Sequence, residues 1–227
     1  MKTIISVIMF LMMTTLSYSN DIYVTQSGAN LDLDITQDGA NNTVGNSTTA
    51  SASTGATTIL NIDQVGGSNV IKYQINGATY TGVISLTGDS NDVDLNCDSG
   101  NSNSSCGTIT ANITMTGSSS DIDLDIGETA DAAGSTINIT GASGSDSNVI
   151  AATVDGNSAV LTITVNGDTN NYLIDIDGNG DSIGHTRIHS HTGSIADVDI
   201  IQSGVNDNMI NLTTSGDNAD IDISQTD

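Results

Sequence analysis

An eleven-residue echo constrains this chain more than any other feature. Val24-Thr-Gln26-Ser-Gly28-Ala-Asn30 is followed by Ile35-Thr-Gln37-Asp-Gly39-Ala-Asn41, and the phrase returns as Ile201-Gln202-Ser-Gly204-Val-Asn206. A fixed short period means that one unit cannot bury its own apolar face, so stacked neighbours must bury it together. The glycines keep the beat elsewhere. Gly156, Gly167 and Gly178 stand eleven apart, as do Gly193 and Gly204, and Gly216 follows at twelve.

Between the glycines, aliphatic and polar residues alternate strictly. Leu31-Asp-Leu33-Asp-Ile35, Ile122-Asp-Leu124-Asp-Ile126, Leu161-Thr-Ile163-Thr-Val165 and Ile221-Asp-Ile223 all read this way. Period two puts aliphatics on one face of a strand and polar groups on the other. No 3.6-residue period is sustained after the first nineteen residues. The reading is all-β. Five or six extended residues and a turn fill eleven positions, and two such halves make a coil. The expected fold is a β-solenoid of roughly nine stacked coils of about 22 residues. Irregular loop insertions are expected at 43–58, 97–106, 130–135 and 141–147. Glycine is expected at the corners because it accepts positive φ.

The position two before each glycine is Gln26, Gln37, Gln64 and Gln202 in the clearest repeats. In weaker ones it is Leu86, Met115, Ile139, Val154, Val165 or Ile176, with His191 and Thr214 as polar exceptions. A site that accepts both Gln and large aliphatics reads as buried. Buried amides must then bond, and stacking in register lets them bond up the column.

Residues 1–19 read as a secretory signal: Lys2, an apolar run over 4–16, then Ser17-Tyr18-Ser19, with cleavage expected before Asn20. That leaves one solenoid domain, 20–227, with no further segment apolar and long enough to span a membrane. Phe10 is the only Phe, and there is no Trp or Pro. Large aromatics bury the most area each, so their scarcity argues for thin stacked sheets rather than a thick core. The formal net charge is −24, which repels phosphate and excludes nucleic-acid binding. Cys97 and Cys106 are the only cysteines; in an exported chain they are expected to close a disulfide around a polar loop.

Chemistry is sparse. Asp32/Asp34, Asp92/Asp94, Asp121/Asp123/Asp125, Asp197/Asp199 and Asp220/Asp222 would form acidic columns if the coils stack. Each bare pair near 5 Å would cost about 0.8 kcal/mol in water, unless turns stagger the columns or cations such as Ca²⁺ sit between them. Asp175-Ile-Asp177-Gly-Asn179-Gly-Asp181 matches the opening of a calcium loop, but position twelve is Thr186 rather than Glu. The same run also reads as a polar coil corner. His185, His189 and His191 read as part of a polar strand. There is no nucleophile elbow, zinc-protease motif or phosphate loop, and no enzyme is expected. A flat threonine ladder able to order water is not legible either, since Thr162/Thr164 is a short run.

The phrases Gln37-Asp-Gly39-Ala-Asn-Asn42 and Gln64-Val-Gly66-Gly-Ser-Asn69 resemble the curlin repeat of curli fibre subunits. The resemblance covers 22–42, 62–76 and 198–206, and from Leu86 to Ile176 the Gln is missing. It implies a ladder of Gln26, Gly28, Asn30, Gln37, Gly39, Asn42, Gln64, Gly66, Asn69, Gln202, Gly204 and Asn206. It also implies a secreted subunit of adhesive amyloid fibres, exported through a Gram-negative envelope and assembling end to end. Its contacts would be with host or abiotic surfaces, in biofilm. The rival expectation is a soluble, acidic, Ca²⁺-stabilised adhesin or surface-layer protein.

Overall fold

The computed structural model describes residues 19–45, 50–77, 79–97, 107–127, 134–141, 147–155, 159–177, 186–203 and 209–226. Residues 1–18, most of the segment 1–19 expected to be a secretory signal, lie outside them. In chain order the strands are β1 (Ser19–Ile22), β2 (Thr25–Ser27), β3 (Asn30–Asp38), β4 (Asn41–Val44), β5 (Ser51–Gly55), β6 (Thr57–Val65) and β7 (Ser68–Gly77). Then come β8 (Thr79–Thr87), β9 (Ser90–Cys97), β10 (Thr108–Thr116), β11 (Ser119–Ile126), β12 (Gly134–Gly141) and β13 (Ser147–Asp155). The last are β14 (Ala159–Asn166), β15 (Thr169–Asp177), β16 (Thr186–Thr192), β17 (Ile195–Ser203), β18 (Met209–Ser215) and β19 (Asn218–Thr226). No helix occurs among the described residues.

The chain winds between two parallel sheets. An eleven-stranded sheet runs β1-β4-β7-β9-β11-β13-β15-β17-β19, with β2 and β5 alongside, and an eight-stranded sheet runs β18-β16-β14-β12-β10-β8-β6-β3. This is the expected β-solenoid. Nine levels at the parallel-strand spacing give a stack about 38 Å long. The step between levels is 22 residues where nothing intervenes, as in Thr58↔Tyr80, Ser68↔Ser90 and Ser147↔Thr169. It lengthens to 29 at Thr79↔Thr108, across the Cys97–Cys106 segment. Extra residues are therefore absorbed at corners while register is kept.

The core is a set of straight aliphatic columns. Ile35, Ile62, Ile84, Ile113, Ile139 and Ile163 stack in the eight-stranded sheet, and Val44, Ile71, Val93, Ile122 and Ile150 in the other. All are buried. β-branched side chains suit this role, because their stiff χ1 fixes one packing repeated at every level. Three tyrosines, Tyr73, Tyr80 and Tyr172, are also fully buried. Tyr80 fits because Gly82 beside it has no side chain: a Cβ there would lie 2.1 Å from the Tyr80 hydroxyl.

Three expectations change. The described part of the tract 43–58 is mostly strand, not loop: β4 and β5 pair with successive parts of β7, and 46–49 lie outside the described residues. Gly45, just after β4, has φ 70°, a left-handed conformation that favours glycine. Second, the corner glycines Gly39, Gly66, Gly88 and Gly117 are not at positive φ. Their reason is crowding. A Cβ would sit 1.8 Å from Gly39 O at Gly66, 1.9 Å from Gly66 O at Gly88, and 1.5 Å from Gly88 O at Gly117. Third, Ile139 does not share the column of Met115. Gly141 itself pairs with Met115, and Ile139 pairs with Ile113.

Candidate functional site

Gln37 and Gln64 stand in register on β3 and β6, both buried, and Gln64 Nε2 donates to Gln37 Oε1 at 2.7 Å. Gln37 Nε2 in turn donates to Asn20 O. The ladder stops there, because the next residue in the column is Leu86. Gln64 Oε1 has no hydrogen-bond partner among the described residues. Gln26 is on the other sheet, half-buried, and its column continues through Ser53 and Ile75. Gln26 and Gln37 therefore do not stack on each other; they belong to opposite halves of one coil. Gln202 is buried on β17 and pairs in register with Gln225.

The longer polar ladder is asparagine. Asn20, Asn42, Asn69 and Asn91 form one column of the eleven-stranded sheet. Asn42 Nδ2 donates to Asn69 Oδ1 at 3.1 Å, and Asn69 Nδ2 to Asn91 Oδ1 at 2.9 Å. The same amides bond the corner carbonyls, Asn42 to Val65 O at 2.9 Å and Asn69 to Thr87 O at 3.0 Å. Ser120 interrupts the column, and Asn148 and Asn170 resume it. All these except Asn20 are buried. The sequence signal is asparagine three residues after the corner glycine: Gly39–Asn42, Gly66–Asn69, Gly88–Asn91 and Gly167–Asn170. Asn30 comes two residues after Gly28 and is exposed. A one-residue difference moves a side chain to the opposite face of the strand. Gly204 and Asn206 lie outside the described residues.

The outer faces of the two sheets differ. On the eleven-stranded sheet Asp92 faces Asp121, Asp94 faces Asp123, Asp197 faces Asp220 and Asp199 faces Asp222 in register. The columns hold acids only in pairs: Val70 and Val149 bracket the first, Lys72 and Ala151 the second. Lys72 Nζ lies 3.5 Å from both Asp92 and Asp94. Burial works against the Lys72 ammonium, but the two carboxylates outweigh it and its pKa is raised. Asn96 donates to Asp125 at 3.0 Å, and on the other sheet Asn61 donates to Asp34 at 2.8 Å. Interruption, one cation and amide donors thus relieve columns that the sequence alone makes look uniformly repulsive.

Asp121 and Asp123 retain a strain. Burial raises the pKa of both carboxyl groups above the ordinary aspartate value of 3.8, reinforced by Asp92 for Asp121 and by Asp94 for Asp123. A folded-state carboxyl pKa above its unfolded value destabilises the charged form. That penalty operates above the folded pKa and is relieved as pH falls toward 3.8. The contribution of these two groups to the melting temperature at low salt should therefore rise as pH falls from neutral toward 3.8, and added salt should shrink the rise. A melting temperature that falls over this range, followed by circular dichroism, would contradict the assignment.

The outer face of the eight-stranded sheet carries Asp32, Asp34, Asp38 and Asp63 on β3 and β6, and then no charge from β8 to β14. Thr81, Thr110 and Thr136 form one column, and Ser85, Thr114, Thr140 and Thr164 another. Between them run Val83, Asn112, Asn138 and Thr162, with Asn138 Nδ2 donating to Asn112 Oδ1 at 2.9 Å. These threonines are scattered along the chain at coil spacing, so only the register collects them.

Of the proposed calcium loop, Asp175 and Asp177 lie on β15, while Asn179 and Asp181 fall outside the described residues. No cluster of three metal-ligating side chains occurs among the described residues. Cys97 is buried at the end of β9; Cys106 lies outside the described residues, so the pairing remains an expectation. His185 is likewise outside. The backbone register of β16 puts His189 and His191 in the columns of Ile163 and Val165. No described helix is long and apolar enough to cross a membrane. No family model, curated protein or solved structure matches the chain.

Proposed function

We propose that this chain is a structural subunit that stacks end to end into fibres of the curli kind, serving adhesion outside the cell. The observation that carries the reading is the likeness of the two outermost strand levels. Asp21-Ile22-Tyr23-Val24-Thr25-Gln26-Ser27 and Asp220-Ile221-Asp222-Ile223-Ser224-Gln225-Thr226 align without a gap. They share Asp, Ile and Gln, and they differ in kind only at Tyr23/Asp222. Each has strand neighbours on one side only among the described residues. A second copy laid on β19 would continue the column from Gln202 and Gln225 into its own Gln26. On the other sheet Leu33 and Ile35 of that copy would meet Ile210 and Leu212. Unpaired edges of this sort template further strands.

Such a joint sets Asp21 beside Asp220, so assembly should quicken with salt. The test is seeded growth of residues 20–227, read by electron microscopy and by the ~4.8 Å fibre reflection. Ile223 is 49% exposed, so Ile223→Lys should leave the monomer's circular dichroism intact while slowing elongation about tenfold or more. A wild-type chain that stays monomeric under seeding would remove the proposal. The four stacked Asp pairs favour a second reading, an acidic cation-stabilised adhesin, which would show as a calcium-dependent monomer without filaments.

A further inference from the structure

We propose that the outer face of the eight-stranded sheet, from β8 to β14, binds ice. The face is segregated by charge. The chain carries a net charge of −24, yet four consecutive strands present only threonine, serine, asparagine, valine and glycine outward. In-register pairing makes this a grid. Hydroxyls repeat at ~4.8 Å along the stack, and at ~6.6 Å within the pairs Thr79/Thr81, Ser85/Thr87, Thr108/Thr110 and Thr114/Thr116, which flank the column of Val83, Asn112 and Asn138. Both repeats lie close to oxygen spacings in the ice lattice.

The side-chain chemistry fits that occupant. A threonine hydroxyl has one donor and two acceptor positions, so it can stand in for a lattice water. Its branched Cβ restricts rotation, which holds neighbouring hydroxyls and methyls in one arrangement before binding and lowers the ordering cost. The amide bond from Asn138 to Asn112 at 2.9 Å ties the middle column in the same way. A carboxylate would orient water radially and break a lattice; on this sheet the outward acids are confined to β3 and β6, beyond the edge of the grid. Tyr73, Tyr80 and Tyr172 are buried in the core, so this face has no aromatic platform among the described residues on which a sugar ring could stack. The area, about 19 Å by 30 Å from strand spacing and rise, is present in full on one copy. The inference therefore stands apart from the fibre reading.

The experiment freezes part of a dilute solution of monomeric residues 20–227 onto a cold probe. The protein in ice and in liquid is then measured beside an inert control protein. The wild type should concentrate in the ice and slow recrystallisation. Thr114→Tyr, which props the lattice off the centre of the grid, should cut the ice fraction about tenfold with unchanged circular dichroism and melting. Thr136→Lys gives the same result by charge and serves if Thr114→Tyr misfolds. Asp94→Asn, on the acidic sheet, should behave as wild type. Exclusion of the wild type from ice would overturn the proposal. So would equal loss in Asp94→Asn, or a solution dimer abolished by Thr114→Tyr, which would mean that a second copy covers the face.

Discussion

Gly66→Ala should destabilise the protein by about 3 kcal/mol or more, while Gly67→Ala one residue later should stay within about 1 kcal/mol of wild type. At Gly66 the new Cβ would stand 1.8 Å from Gly39 O and 2.9 Å from Asn42 Nδ2. The first contact is backbone, and it belongs to the adjacent level, so two coils must separate to admit a methyl group. Separation stretches the corner bonds Gly39 N to Val65 O and Gly66 N to Thr87 O, both 2.9 Å. At Gly67 the nearest atom is Ala40 O at 3.3 Å, a contact that relaxes by a few tenths of an ångström. For a chain of this size the first variant should lose roughly 6–12 °C in melting temperature. Equal melting temperatures for the two variants would show that the glycine stack does not fix coil spacing.

The same crowding explains where sequence reasoning stopped. Alternation in Leu31–Ile35 and Ile122–Ile126 predicts strands, because a period of two has one backbone solution. The eleven-residue glycine beat predicts a stack. Neither signal carries register between coils, and register decides every column. Ile139 stands two before a glycine and reads as a member of the Met115 column; only the pairing of Ile139 with Ile113 and of Gly141 with Met115 corrects it. The corner glycines could be seen, but their cause could not, since close approach of stacked carbonyls leaves no local trace. The tract 43–58 lacked alternation because Ser51, Ser53 and Thr58 are small polar residues buried at inward positions, where Thr58 Oγ1 donates to Ser53 Oγ at 3.0 Å. Polarity there misleads a pattern built on aliphatics.

The candidate surfaces show the same limit. The acidic pairs were legible as a tendency, because Asp alternates with Ile and Leu on the outer face. Their restriction to pairs was not, because it depends on Val149 and Ala151 arriving one level later. The threonine grid was invisible for a related reason: Thr81, Thr110 and Thr136 are far apart in the chain and adjacent only across three coils. Short repeats with variable insertions thus announce the backbone and conceal the faces. The run of four strands without an outward charge, β8 to β14, is a property of register, and it sets that stretch of the eight-stranded sheet apart from the acidic pairs of the other.

Asn69→Asp is the sharpest probe of the inner ladder, because it preserves shape and changes one group. Asn69 is fully buried, accepting from Asn42 at 3.1 Å and donating to Asn91 Oδ1 at 2.9 Å and Thr87 O at 3.0 Å. A carboxylate keeps the first bond and turns the other two into oxygen–oxygen repulsions. It also carries a charge into the core with no cation beside it. The expected cost at pH 7 is about 3–5 kcal/mol, or on the order of 10 °C in melting temperature. Burial raises the carboxyl pKa in the folded state, so the penalty is full above that pKa and shrinks as pH falls toward the unfolded value. Protonation then restores a donor toward Asn91 or Thr87. The gap between Asn69→Asp and wild type should therefore close substantially by about pH 4. Asn69→Ala should show a smaller deficit of about 2–3 kcal/mol with no such closure. If the two variants lose equal stability at every pH, Asn69 is packing space and not a rung of a hydrogen-bonded ladder.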